Sequence, residues 1–225
     1  MTHIHNAETV LTDDDRYHHG DLRRALIVAA LALLTEKQDW SFSLREVARR
    51  AGVSHNAPYN HFNSKQDLLV AVAAAGYDLL RARMQEAAAE VNIPTAALKA
   101  VGVAYVSFGV ENPAHYRLMF GTVLTPAQGC LPPVVSDSAA TAKGLLREII
   151  RQGAEKGSFA VSLTETDALD TAVLSAWSLV HGLTMLLVDG LAGAETMSDP
   201  LIAAERVARH VTQLLLDGIN TQQGA

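Results

Sequence analysis

The chain has 225 residues, of which 49% are hydrophobic, so it can bury a substantial core and is not globally disordered. The single cysteine, Cys130, excludes an internal disulfide and a cysteine-rich zinc site. The net charge is −6, yet residues 16–65 carry eight basic and four acidic side chains inside an otherwise acidic chain. A local basic segment of this kind is typical of a surface that meets phosphate groups.

The N-terminal segment shows no targeting signal. Its first fifteen residues lack the basic start and apolar stretch of a signal peptide. The most apolar runs, near Ala25–Leu34 and Val180–Val188, are too short to span a bilayer, so we expect a cytoplasmic protein. Residues 1–19 are polar and contain four histidines, and we predict a flexible arm there. Because no acidic or cysteine partner stands at ligand spacing, we expect no bound metal.

Helical patterns dominate the rest of the chain, and no run alternates with a period of two. The first helix is predicted to begin near Asp21 and to end around residues 37–39. A capping box at Ser43 and Glu46 begins a short second helix, which stops at Gly52. Ser54 can cap a third helix through residue 61, and a second capping box at residues 64–67 begins a fourth that runs toward residue 90. We therefore predict an all-α fold.

Five further helices are expected after Pro94. Residues 121–136, with three prolines and two glycines, are predicted to form a loop among them. The predicted helices are Thr95–Val110, Pro113–Phe120, Ser138–Lys156, Glu165–Val188 and Pro200–Gly218. We divide the chain into the arm, a first domain of residues 20–65 and a second domain of residues 66–225.

The segment of residues 43–62 is the most informative part of the sequence. Two short helices separated by three residues can pack at a steep angle, which is the geometry of a helix-turn-helix. The exposed positions of the second helix are small or polar, so this helix can enter a major groove. We expect four residues near base edges and four on phosphates. The first four are Ser54, His55, Asn56 and Ala57, and the others are Arg45, Tyr59, His61 and Lys65.

An ordinary helical corner is the alternative interpretation of the same segment. Glycine-bearing corners are common in helical proteins, so the spacing alone is moderate support. Two successive capping boxes around a short polar helix, in the one basic segment, favour DNA binding.

Residues 42–54 and 58–69 resemble the TetR family of bacterial regulators. The likeness rests on Tyr59, His61, Phe62, Lys65 and Leu68, which match the end of the family's recognition helix and the start of the next helix. The sequence departs from the pattern at residue 60, an asparagine where a second tyrosine is common, and at residues 56–58, Asn-Ala-Pro. Residues 177–182 resemble the Trp-x-x-x-His-Gly signature of a C-terminal domain in one subgroup. The resemblance implies a dimeric regulator with a helical ligand-sensing domain.

The second domain has candidate residues for a small-molecule pocket. Trp177, His181 and Met185 fall on one helical face at i, i+4 and i+8. We expect them to point inward together with Tyr105, Phe108, His115 and Met119, with His181 as the polar group that orients a mostly apolar ligand. The alternative is an ordinary helical core with one hydrogen-bonded histidine.

The last two helices carry a further apolar stripe. It comprises Leu169, Val173, Leu174, Val207, Val211, Leu214 and Leu215. The stripe can complete the monomer core or, as the resemblance implies, form a two-fold four-helix interface.

The most economical interpretation is a repressor that binds a palindromic operator as a homodimer and responds to a small, mostly apolar effector. No glycine-rich phosphate loop, His-Glu-x-x-His motif or nucleophile elbow is present, so we expect neither catalysis nor a cofactor. A helical ligand-binding or interaction protein without DNA binding, or a helical enzyme, remains the alternative.

Overall fold

The computed structural model describes residues 13–124, 131–192 and 199–219, with side chains from residue 22 onward. Eight α-helices and two 3-10 helices make up the described part of the chain, and the prediction of an all-α fold is confirmed. The α-helices are α1 Asp13–Lys37, α2 Leu44–Arg50, α3 Lys65–Ala89, α4 Pro94–Glu111, α5 Pro113–Phe120, α6 Pro133–Glu155, α7 Ala168–Val188 and α8 Pro200–Ile219. The 3-10 helices span Ala57–Asn60 and Thr122–Leu124.

The chain divides into two compact units within α3, between Val72 and Ala73. The N-terminal unit contains α1, α2 and the first 3-10 helix, and the C-terminal unit contains α4 to α8. The division falls seven residues after the boundary proposed at residues 65 and 66, inside the same helix.

Helix α2 is bounded by the local signals that its sequence contains. The Ser43 hydroxyl accepts from the Glu46 amide at 3.2 Å, and the Glu46 carboxylate accepts from the Ser43 amide at 2.7 Å. The predicted capping box is therefore confirmed. At the other end Gly52 takes the left-handed conformation with φ of 71°, and its amide and that of Val53 bond back to α2. This Schellman closure turns the chain sharply after seven helical residues.

The second helix of the predicted helix-turn-helix differs from the prediction. The helix expected over residues 54–61 is a single 3-10 turn, Ala57–Asn60. Pro58 has no amide hydrogen, so no hydrogen bond from residue 58 to a carbonyl of the preceding turn can form. The amides of Ala57 and Tyr59 instead bond three residues back, to the carbonyls of Ser54 and Asn56, at 3.0 and 3.1 Å. The proline therefore converts a short α-helix into a tighter and shorter turn.

Two other helices begin earlier than predicted. Helix α1 begins at Asp13, so residues 13–19 are helical and not part of an arm, while residues 1–12 lie outside the described residues. Three consecutive aspartates open α1, and negative charge is favourable in the first turn because it offsets the helix dipole. Helix α6 begins at Pro133, five residues before the predicted Ser138, since proline is well suited to the first position of a helix.

Helix α4 is the centre of the C-terminal unit. It packs against α6, α7 and α8, and α6 and α7 also contact each other. Ten of its residues are buried, including Gly102 and Gly109. A Cβ added at Gly109 would overlap Cγ2 of Thr184, which shows how closely α4 and α7 approach. Helix α4 therefore lies among α6, α7 and α8.

The apolar stretch of α7 is longer than the run Val180–Val188 that the sequence analysis considered. It has 21 residues, and its most apolar window has a mean hydropathy of 1.6, with 22% of that window buried. By length and composition it is able to cross a membrane, whereas the run Val180–Val188 alone is too short. In this unit α7 packs against α4, α6 and α8 and leaves a broad apolar face exposed.

Candidate nucleic-acid interface and internal cavity

The turn that follows α2 presents a row of polar side chains. Ser54, His55, Asn56, Tyr59 and Asn60 are exposed. Hydroxyl, imidazole and amide groups are the side chains that pair with base edges in a major groove. The first three of the four residues expected near base edges are therefore exposed.

The apolar residues of this turn hold it against the N-terminal unit. Pro58 is buried, Ala57 is half-buried, and Phe62 is 3% exposed. The Arg23 guanidinium lies 5.4 Å from the centroid of the Phe62 ring, within range of a cation–π interaction. Ala57 is thus less available for a thymine methyl group than the helical prediction implied, and Asn60 is an exposed polar residue of the same turn.

Lys65 is positioned by two contacts within the N-terminal unit. Its ammonium group donates to the backbone carbonyl of Trp40 and lies 5.2 Å from the centroid of the Phe42 ring. An ammonium group has three donors, so the remaining ones can still meet a phosphate. His61, also expected on a phosphate, is half-buried.

The basic side chains of this unit fall into two groups. Arg50 bonds the Glu36 carboxylate at 2.5 Å, and Lys37 bonds Glu46 at 2.8 Å, so the charges of these two are compensated. The Lys37 ammonium, followed by the Ser43 amide, lowers the pKa of Glu46 to about 2. In the part of the chain whose side chains are described, the exposed Arg24, Arg45 and Arg49 form no ion pair. Together with the exposed Arg23 and with Lys65, which retains donors, these three guanidinium groups are the positive charges of this unit that can meet phosphate.

The C-terminal unit encloses an apolar cavity of about 330 Å³. Its volume falls at the lower end of the range for small-molecule sites, about 300–1,000 Å³. The wall is built from α3 to α8 and includes Leu80, Met84, Leu98, Val101, Phe120, Leu146 and Val180. Lys143 of α6 is the one charged side chain in the lining that the described residues form.

Three of the seven residues predicted for a pocket lie in the wall of this cavity. They are Tyr105, Met119 and Trp177. Phe108, His115, His181 and Met185 are not part of the lining. Phe108 and His115 are buried, at 0% and 2% exposure, and pack with their ring centroids 6.4 Å apart. Met185 is half-buried farther along α7.

His181 belongs to a hydrogen-bonded cluster behind the cavity wall. Its Nδ1 lies 2.6 Å from the Tyr116 hydroxyl and 3.1 Å from that of Tyr105, and the two hydroxyls are 3.2 Å apart. The Trp177 indole donates to the Tyr105 hydroxyl at 3.2 Å. Burial raises the pKa of Tyr105 to about 12, also raises the pKa of Tyr116, and lowers the pKa of His181. Near neutral pH both phenols therefore keep their protons, and the His181 imidazole is neutral.

Sequence reasoning missed Lys143 and the α6 side of the cavity. The signal was present, since Ala139, Ala142, Lys143 and Leu146 stand at the i, i+3, i+4 and i+7 positions of one helical face. With α6 predicted to begin at residue 138, most of these residues fall in the first turns of the helix. The direction in which a side chain points is difficult to predict there.

One unit of the chain has a short helix followed by an exposed polar turn, and the other is a helical unit with a cavity. This is the arrangement of a regulatory DNA-binding protein. Two family descriptions match the chain: "Bacterial regulatory proteins, tetR family" over residues 26–72, and "Tetracyclin repressor-like, C-terminal domain" over residues 98–214. The chain belongs to the TetR family of transcription regulators.

Individual proteins are similar to this chain in sequence or in fold. A protein of unknown function from Rhodococcus sp. RHA1 is 29% identical, with a TM-score of 0.72 over 91% of this chain and 98% of that one. The regulator FadR from Bacillus subtilis, solved with stearoyl-CoA, is 18% identical with a TM-score of 0.68 over 88% and 99%, a likeness of fold alone. The nucleoid occlusion factor SlmA of an Enterobacter strain is 29% identical over 58% of this chain and 67% of its own length.

Proposed function

We propose that this regulator is a repressor that binds a palindromic operator as a homodimer and leaves it when a small, mostly apolar effector enters the cavity. The observation that carries the proposal is the apolar cavity enclosed by the C-terminal unit of a chain whose other unit contains the helix-turn-helix. A cavity of this size and lining is suited to a small organic molecule. Both matched domains are those of regulators, and neither points to catalysis.

The N-terminal unit contacts DNA through its exposed turn. Ser54, His55 and Asn56 face base edges, and Asn60, exposed on the same turn, contacts the DNA beside them. Arg45, Tyr59, His61 and Lys65 hold phosphates and set the register of the turn in the groove. The exposed positions of Arg45 and Tyr59, and the donors that Lys65 retains, support this division.

The homodimer forms through the exposed faces of α7 and α8. Leu174 and Leu186 on α7 are 52% and 47% exposed, and Ile202 and Leu214 on α8 are 62% and 71% exposed. Large apolar side chains repeated along two adjacent helices indicate a protein interface, because a monomer gains nothing by leaving them in water. A two-fold axis through these faces gives a four-helix interface and two turns that can meet a palindromic site.

The effector occupies the cavity with its apolar body against α4, α6 and α7. FadR from Bacillus subtilis, which shares the fold, was solved with stearoyl-CoA, so an apolar chain is compatible with this architecture. We prefer an effector-responsive regulator to nucleoid occlusion, the role in the name of the curated relatives, because the apolar cavity is suited to a small organic molecule.

The first experiment is an electrophoretic mobility shift with random genomic fragments at low salt. We expect the protein to retain a small subset of fragments that share an inverted repeat, and light scattering to give twice the monomer mass without DNA. Leu214→Glu should shift the mass to that of a monomer, whereas Leu163→Glu, at an exposed leucine outside α7 and α8, should not. Uniform weak retention of all fragments, or a monomeric wild type at micromolar concentration, contradicts the proposal.

A further inference from the structure

The polar groups in the cavity wall are almost all engaged by the protein itself. The Tyr77 hydroxyl donates to the backbone carbonyl of Met119 at 3.2 Å, and the Thr212 hydroxyl donates to that of Ala208 at 2.7 Å. A hydroxyl has a single hydrogen to donate, so neither group has a donor left for a ligand.

The aromatic side of the wall is engaged in the same way. The only N–H of the Trp177 ring points to the Tyr105 hydroxyl. The Tyr105 hydroxyl lies 3.2 Å from that of Tyr116, and the Tyr116 hydroxyl lies 2.6 Å from Nδ1 of His181. This chain of hydrogen bonds ends behind the wall, and it turns the aromatic residues toward the cavity as apolar surface.

Lys143 is the exception. It is exposed, it lines the cavity, and its ammonium nitrogen lies 5.7 Å from the centroid of the Trp177 ring. Among the described side chains no carboxylate forms an ion pair with it, and Asp170 in the first turn of α7 pairs with Arg147. An ammonium group offers three donors and one positive charge, and a ring face satisfies them only partly.

We propose that the effector is an amphipathic organic anion with an apolar body in the cavity and one carboxylate at Lys143. A single positive charge balances a monoanion, and a carboxylate accepts charge-assisted hydrogen bonds from an ammonium group. The apolar lining and the engaged hydroxyl groups leave no hydroxyl donor for a second acceptor group of the effector. This inference rests on the proposed role of the cavity and specifies the chemistry of its occupant.

The test compares octanoate with 1-octanol, which have the same chain but differ in charge, by isothermal titration calorimetry on the full-length protein at pH 7.5 and low salt. We expect both to bind, with octanoate bound about fivefold more tightly, the upper end of what a partly solvated ion pair contributes. Lys143→Met should remove this preference and leave the affinity for 1-octanol unchanged, and Lys143→Arg should retain it. The preference should also fade in 0.5 M salt because the exposed pair is screened.

Lys156→Met is the matched control, since it removes the same charge from an exposed position just after α6, away from the cavity. It should bind both probes like the wild type. Equal affinity for the two probes, or a preference for octanoate that survives Lys143→Met, overturns the proposal that the effector is an anion. The cavity would then still be a ligand site. If neither probe binds a protein that still retains genomic fragments, the cavity itself is not the effector site and both proposals fail.

Discussion

The hydroxyl of Tyr116 lies 2.6 Å from Nδ1 of His181, and this hydrogen bond keeps the histidine out of the cavity that its helix borders. The Phe120 ring covers the histidine on another side, with the two ring centroids 4.6 Å apart. With Nδ1 as acceptor, the neutral imidazole carries its hydrogen on Nε2. His181 thus helps to hold α4, α5 and α7 together. The residues that line the cavity, and not His181, are the ones placed to contact a ligand.

This arrangement predicts that stability falls when the pH drops below about 6.5, the ordinary pKa of histidine. Burial lowers the pKa of His181, so the unfolded chain takes up a proton that the folded protein does not, and acid favours unfolding. Urea unfolding of the wild type between pH 7.5 and 5 should show this loss. His181→Asn, which keeps an acceptor but cannot titrate, should lose less stability over the same range. His210→Asn, at an exposed position on α8, should behave like the wild type; identical pH profiles for all three proteins would contradict the prediction.

Gly109→Ala should destabilise the protein by about 1–3 kcal/mol, the usual range for overpacking a core. The added methyl group would overlap Cγ2 of Thr184, which is fully buried, and stand 3.1 Å from Cδ2 of Tyr116. Gly144→Ala is the control, because an added Cβ meets nothing within 4 Å and replaces glycine in a helix, a gain of up to about 1 kcal/mol. The urea concentration at the unfolding midpoint should therefore fall for Gly109→Ala and rise for Gly144→Ala. A stabilised Gly109→Ala would show that α4 and α7 are not packed this closely.

Arg45→Ala should weaken binding to every DNA sequence and reduce the slope of log affinity against log salt by about one unit, because one counterion fewer is released. Lys65→Ala should do the same and also lower the melting temperature, since its ammonium group bonds the Trp40 carbonyl. Arg147→Ala, in the C-terminal unit and paired with Asp170, serves as the control with no change in slope. Unchanged slopes for both Arg45→Ala and Lys65→Ala would mean that the turn meets DNA in another orientation.

Asn56→Ala should reduce affinity for the operator by about 1–3 kcal/mol and leave affinity for random DNA nearly unchanged. Asn56 is exposed and immediately precedes the 3-10 turn, where its amide can reach a base edge. Asn92→Ala, at an exposed asparagine between α3 and α4, is the matched control. Fluorescence anisotropy on both duplexes separates the effects, and an equal loss on operator and random DNA would assign Asn56 to phosphate contact.

The sequence alone determined the features that depend on neighbours within a few residues. The capping pair Ser43 and Glu46 and the left-handed Gly52 set both ends of α2, and Ser64 accepts from the Asp67 amide at 3.1 Å at the start of α3. These signals are readable because the groups that bond are close in the chain and the geometry of a helix end is nearly invariant. The same locality made the helix-turn-helix segment and its family recognisable.

Only the tertiary structure decided which side chains face the cavity. Trp177 and His181 share one face of α7, yet Trp177 lines the cavity and His181 does not, because Tyr105 and Tyr116 from two other helices engage the histidine. Lys143 comes to the same cavity from α6. The positions of α4, α5, α6 and α7 relative to one another depend on how their side chains interlock across long stretches of sequence, and helical periodicity carries no information about that packing.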